Sequence, residues 1–192
     1  MPAKKAQKNE TMEMLSKELG RTNPHALPHL KKVSVHVGIG SMVTGGNKDF
    51  SSIEKFLVDI TGQKPIVRKA RMAISNFKLR KGLPVGIHVT LRGKRMEDFV
   101  TRLVNIALPR VRDFRGITVR GFDGSGNYSL GLEDTNIFPE SNQENVSTSS
   151  GMQINVCTTA RNSRETYLLL KALGFPFRDE ISEEGKITRK AQ

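Results

Sequence analysis

The side chains able to do chemistry in this chain do not assemble into a known reactive pattern. Gly38-Ile39-Gly40 follows a strand-like run, as a dinucleotide-binding turn would, but Val43 stands where the third glycine is needed. From Gly40 to Asn47 the glycines suggest a phosphate loop, yet Gly46 occupies the position of the phosphate-binding lysine. His25 and His29 have the spacing of two metal ligands on one helix turn; Pro28 between them argues against the helix, and nothing supplies further ligands. The run from Phe122 through Asp123, Gly124, Ser125 and Gly126 to Asn127 reads as a turn entering a strand rather than a catalytic serine loop. Cys157 is the single cysteine, set in an apolar run, so it makes no internal disulfide and anchors no zinc set. No Ser/His/Asp or Cys/His order is suggested. The expectation is a protein without catalysis, metal or cofactor.

One feature does point to a ligand class. Between Ile60 and Met96 there is no Asp or Glu, while Lys64, Arg68, Lys69, Arg71, Lys78, Arg80, Lys81, Arg92, Lys94 and Arg95 all fall inside it. The whole chain carries a formal net charge of +12, so a fifth of its length holds most of the imbalance. An ordinary solvated surface mixes both signs. Removing one sign builds a local positive field that attracts polyanions, nucleic acid first among them.

These residues need elements to position them. At 192 residues the chain is long enough for one domain with a real core. No apolar run reaches the ~18–20 residues of a membrane span, and the Lys-rich start from Met1 to Glu10 lacks the apolar stretch of a secretory signal. A membrane-surface role has no basic amphipathic helix with an aromatic face to support it. The lone cysteine suits a reducing, cytosol-like compartment.

Periodicity predicts a short helix from Thr11 to Leu19 stopped by Gly20, then a connector from Asn23 to Leu30. Val33, Val35 and Val37 alternate with Ser34 and His36 as a half-buried strand. A glycine loop follows, and then a helix capped by Asn47 in which Phe50, Ile53, Phe56, Leu57 and Ile60 recur until Gly62. Further strands are expected at Pro65 to Ala70, Val85 to Leu91, Asn127 to Leu132 and Met152 to Thr158. Two helices are expected from Met96 to Pro109 and from Arg164 to Leu173, the second capped by Ser163. A polar excursion fills Ser141 to Ser150.

Strands in adjacent pairs with irregular helices favour an α+β single domain, a largely antiparallel sheet with helices on one face. The opposite face then presents Ser34, His36, Gly86, His88, Thr90, Gln153 and Asn155. These are small or hydrogen-bonding residues that let a bulky ligand approach the backbone. Residues 1–22 form a basic lead-in with a short helix, 23–178 the main domain, and 179–192 a charged tail expected to be mobile.

Lys69 to Gly82 joins two strands by more residues than a common hairpin loop uses. Its basic residues Arg71, Lys78, Arg80 and Lys81 alternate with Met72, Ile74, Phe77 and Leu79. The apolar set is expected to fold the loop back on itself, with Phe77 as an internal anchor rather than a base-stacking platform.

Several stretches then resemble one family. They are Thr61-Gly62-Gln63-Lys64-Pro65, the run from Ile74 to Gly82, Val89-Thr90-Leu91-Arg92, the run from Ala107 to Gly116, Phe122-Asp123-Gly124, Gly126-Asn127-Tyr128 and Phe138-Pro139-Glu140. In order and spacing they are similar to the bacterial form of ribosomal protein L-five, from about Pro24 to Arg178. The resemblance implies a structural constituent of the large subunit that binds 5S rRNA through its open sheet face and helps attach it in the central protuberance. Implied partners are 5S rRNA, large-subunit rRNA, P-site tRNA, a small-subunit head protein and other 5S-associated ribosomal proteins. A free RNA-binding regulator using the same surface is the alternative.

The implied 5S rRNA-binding set is His36, Gln63, Thr90, Arg92, Lys32 and Arg68. The implied tRNA-facing loop carries Lys69, Arg71, Ser75, Asn76, Lys78, Arg80 and Lys81, and Arg110, Arg112 and Arg115 fall at the rRNA or inter-subunit contact. His36 replaces the family's usual Asn, His88 stands where a basic or small residue is common, and Ser125 where Arg is common.

Overall fold

The computed structural model describes residues 2–45, 50–135, 137–140, 151–181 and 187–189. Five strands form one sheet: β1 (Leu30–Gly38), β2 (Ile66–Lys69), β3 (Pro84–Leu91), β4 (Asn127–Leu132) and β5 (Met152–Thr158), in the order β2-β3-β1-β5-β4. The ladders of β3 with β1 and with β2 are antiparallel. The helices are α1 (Pro2–Leu19), α2 (Gly40–Thr44), α3 (Ser51–Thr61), α4 (Gly93–Arg102) and α5 (Ser163–Ala172). The α+β class is the expected one. The described chain divides into two compact units, residues 32–112 with 131–155, and residues 1–31 with 113–130 and 156–192.

In the first unit the alternation of β1 and β3 decides the layers. Val33, Val35, Val37, Ile87, Val89 and Leu91 are all buried, while His36, His88 and Thr90 between them stay half-buried. Helices α2 and α3 pack on β3. Helix α3 contributes Ile53, Phe56, Leu57 and Ile60 to the core, one apolar stripe at helical spacing. It closes at Gly62, whose left-handed backbone (φ 63°) lets its N–H reach the Val58 carbonyl. Phe50 holds the N-cap position; the expected cap, Asn47, lies outside the described residues. The glycine loop after β1 contains a single helical turn, α2, that periodicity does not predict.

Helix α4 buries Met96, Phe99 and Val100, widens to a π turn over Leu103–Ala107 and tightens to a 3-10 turn at Leu108–Arg110. Pro109 lacks the donor that another α turn would need. The Arg102 guanidinium ties this helix down, pairing with Glu140 at 2.9 Å and donating to the Ile60 carbonyl.

The second unit packs α1 against α5 around Leu15, Leu27 and Leu169. Helix α1 begins at Pro2, well before the expected Thr11. Arg21 reaches from just beyond α1 to the buried Glu165 of α5, whose other carboxylate oxygen accepts from the Arg161 N–H at 3.1 Å. Asn162, rather than Ser163, takes the N-cap position of α5, without a side-chain cap.

Phe122, Tyr128, Tyr167 and Phe177 form an aromatic cluster with centroids 4.7–6.4 Å apart. Within it the Tyr128 hydroxyl donates to the Thr118 carbonyl, and burial pushes that phenol far above its usual range. The Phe122 to Asn127 stretch is the expected turn. The Asp123 carboxylate accepts from the Ser125 and Asn127 N–H groups and from the Asn127 amide, and the Asn127 side chain leads in holding its pKa down. Gly126 (φ 84°) tolerates no side chain, since a Cβ there would lie 2.2 Å from the Ala160 carbonyl oxygen.

The charged tail, expected to be mobile, carries a two-stranded antiparallel ladder, β6 (Asp179–Ile181) with β7 (Ile187–Arg189). The polar excursion at 141–150 lies outside the described residues.

Candidate nucleic-acid interface

None of the five sheet strands contains an Asp or Glu. Within β2, β3 and β1 the register sorts the polar face into rows. Arg68 lies opposite Gly86, which lies opposite Gly38. The next row is Ile66, His88 and His36, and the next pairs Thr90 with Ser34. Lys32 on β1 and Arg92 after β3 continue the same alternation.

His36 and His88 are stacked, their ring centroids 4.3 Å apart and their planes 24° from parallel. The Nε2 of His88 meets the Thr90 hydroxyl at 3.1 Å, and the Gln63 amide donates to the Thr90 carbonyl at 3.3 Å. Four residues singled out from the sequence, His36, His88, Thr90 and Gln63, therefore converge on one patch. Among the described residues the His88 Nδ1 is enclosed without a hydrogen-bond partner, as is the Asn155 Oδ1. Ser34 is more enclosed than alternation alone implies, at 8% exposure.

Burial and the neighbouring cations favour the neutral form of both rings. Burial, then the Arg68 guanidinium, lowers the pKa of His36. Burial, then His36, Arg68 and Lys32, lowers that of His88. A second cation beside these positive groups is disfavoured by both desolvation and repulsion.

Beside the stack the surface is bare. A Cβ on Gly38 would meet nothing within 4 Å, and one on Gly86 only the Val37 carbonyl oxygen at 3.4 Å. Two glycines facing each other across the ladder leave a floor of backbone flanked by Arg68 and the histidine rings. Lys32, Arg68 and Arg92 form no ion pair among the described residues. The patch offers unpaired cations, neutral hydrogen-bonding rings and open backbone, which suits phosphate and sugar contact.

The hairpin between β2 and β3 carries the second group. Ala70 and Gly82 continue the strand pairing, Ile74 and Leu79 exchange hydrogen bonds, and a 3-10 turn over Ser75–Phe77 forms the tip. Lys69, Arg71, Ser75, Asn76, Lys78, Arg80 and Lys81 are all exposed, and Lys78 adopts a left-handed backbone (φ 51°). The expected internal anchor is not one. Phe77 is 72% exposed and Met72 67%, because the extended hairpin offers no interior in which to bury them. Arg110 and Arg112 are exposed in the same compact unit as the sheet patch; Arg115 is exposed in the other. His25 sits in a 3-10 turn and His29 pairs with the Thr159 hydroxyl, so the two do not share a helix face. Among the described residues, no group of three or more His, Cys, Asp or Glu side chains is placed to hold a metal ion.

A basic α+β fold with an acid-free polar sheet face and a cationic hairpin has the chemistry of a nucleic-acid-binding scaffold. Residues 23–80 match the family model described as ribosomal protein L5, and residues 84–177 match the model of that ribosomal family's C-terminus. The large ribosomal subunit protein uL5 of Anaeromyxobacter sp. (strain Fw109-5) is 52% identical over 88% of this chain and 93% of its own. Those of Leifsonia xyli subsp. xyli and Thermotoga maritima are 49% and 46% identical, over 91% and 93% of this chain and 89% and 96% of theirs. The chain belongs to the ribosomal protein L5 family. It is a non-enzymatic protein of the large ribosomal subunit, with its place in the ribosome.

Proposed function

We propose that this chain binds 5S rRNA through the open sheet face and helps attach it in the central protuberance. His36, Gln63, Thr90, Arg92, Lys32 and Arg68 make the contacts. The hairpin bearing Lys69, Arg71, Ser75, Asn76, Lys78, Arg80 and Lys81 approaches P-site tRNA. Arg110, Arg112 and Arg115 face large-subunit rRNA or the small-subunit head protein.

One observation carries the 5S reading: five strands without an acidic residue, whose polar side gathers unpaired Lys32 and Arg68 beside open glycine backbone. Acid is absent where a phosphate backbone would otherwise be repelled. Binding of purified protein to a 5S rRNA transcript, titrated over salt, tests it. With six to ten phosphates engaged, affinity falls by about 10³–10⁵-fold between roughly 50 and 200 mM salt. A flat salt response, or no binding at low salt, would overturn the reading. A tagged copy should sediment with large subunits, and its persistence outside them would refute the scaffold role.

A further inference from the structure

The histidine pair at the centre of the sheet patch has a chemistry that the cations around it lack. We propose that His36 and His88 form a proton-coupled phosphate subsite, in which RNA settling over the pair draws one proton onto His36. The proposal rests on the reading of this face as the RNA-binding surface.

The geometry selects both the stoichiometry and the acceptor. The rings stack at 4.3 Å on directly paired positions of neighbouring strands, so two charges there would repel strongly and one proton is the limit. His88 is the poorer acceptor. Its Nε2 is engaged with the Thr90 hydroxyl and its Nδ1 is enclosed without a partner, so a full complement of N–H donors would leave one buried and unsatisfied. The His36 ring makes no hydrogen bond to the protein among the described residues, and neither of its nitrogens is an enclosed orphan. Its new donor can therefore face the ligand.

The surroundings supply the switch in sign. The charged groups facing the pair are Lys32 from β1 and Arg68 from β2; β3 adds only the partner ring, and β5 contains no ionisable side chain but Cys157. With no carboxylate on any strand of the five-stranded sheet, the free protein favours the neutral form of both rings. A phosphate brought in beside Arg68 reverses the local potential, and an imidazolium becomes a charge-assisted donor to it. The Gly38–Gly86 floor leaves that flank of the stack open to a ligand. Lys or Arg at the same positions would bind phosphate with no pH dependence near neutrality. Histidine makes the contact conditional on proton uptake.

The test is calorimetric titration of full-length protein with a 5S rRNA transcript, in buffers of different ionisation enthalpy between pH 6 and pH 8. The expected result is net uptake of up to one proton, with Kd tightening at least ~3-fold from pH 7.5 to pH 6 and never more than about tenfold per unit. His36→Gln and His36→Asn, each checked for an unchanged melting profile at pH 7.5, should bind more weakly but measurably and lose that uptake, which subtracts any protonation of the RNA itself. Carbon-labelled histidine spectra of wild type should show the His36 titration moving to higher pH on adding RNA. Binding with no uptake, or uptake unchanged in both variants, overturns the subsite and leaves 5S recognition standing. Absence of binding at every pH overturns both.

Discussion

Gly38→Val separates folding from binding at one position. The residue ends β1 opposite Gly86, outside the left-handed backbone region, and a Cβ added there meets nothing within 4 Å. The folded state can therefore accept the side chain. The unfolded chain loses glycine freedom, and valine suits a strand, so stability should rise by about 0.5–1 kcal/mol. In a chain of this length that is a melting shift of about 1–4 °C. On the binding side the same branched side chain stands on the bare floor beside Arg68. Holding RNA off that floor forfeits at least one charge-assisted hydrogen bond, about 1.5–3 kcal/mol, or roughly ten- to hundredfold in Kd. Thermal denaturation of the free protein and fluorescence anisotropy with labelled 5S rRNA measure the two effects side by side. Gly38→Ala should give a smaller effect of the same sign on each. If Gly38→Val melts lower than wild type, or binds 5S rRNA with unchanged affinity, the open-floor reasoning is wrong.

Thr90→Ala removes the hydroxyl held against His88 Nε2 and should weaken 5S rRNA binding by about fivefold, or ~1 kcal/mol. Arg80→Ala, on the exposed hairpin, should spare that binding and instead disturb P-site tRNA in assembled ribosomes; equal losses of 5S affinity would show that sheet and hairpin are one surface. Glu165→Ala strips the partner from Arg21 and the acceptor from the Arg161 N–H. Full burial would make this a loss of about 3–5 kcal/mol. Because a third of the Arg21 side chain is exposed, about 2 kcal/mol is expected in urea unfolding, and a loss under ~0.5 kcal/mol would contradict a structural role for the pair.

The free protein should also lose stability as pH falls. The folded state holds the His36 and His88 pKa values below the ordinary 6.5, so the unfolded chain binds more protons in that range. Stability from this source is complete above about pH 6.5 and declines as pH drops through the lowered folded values. Denaturant midpoints between pH 7.5 and 5 should show the decline, and replacing both rings by Gln should flatten it.

The strands were readable because their alternation is strict: valines on β1 and the Ile87, Val89, Leu91 series on β3 leave only one face for the core. Helix α3 was readable for the same reason at the helical period. The α2 turn was hidden by its flanking glycines, which read equally well as loop. The hairpin shows a different failure. Met72 and Phe77 carry the apolarity of buried anchors, but burial needs a packing partner, and an extended hairpin tip has none. Both histidines could be placed on the polar face from sequence, but not their stacking, which depends on a ladder register that single-strand periodicity does not specify. Aligning the β1 and β3 alternations would have been the signal.

The same side-chain type does two jobs in this fold, and the partner tells them apart. Arg21 and Arg102 each meet a carboxylate and a backbone carbonyl, so their charge is spent holding elements together. Among the described residues Lys32 and Arg68 meet neither, and they stand on strands from which acids are missing. An unpaired cation does little for the free fold, and here the Arg68 charge adds to burial in lowering the pKa of two neighbouring histidines. On the proposed RNA-binding reading, that arrangement stabilises a complex rather than a monomer, since an incoming phosphate relieves the repulsion and supplies the missing partner in one step. Acid-free sequence around these strands follows from this: a single Asp within reach of Arg68 would stabilise the free protein at the expense of the ligand.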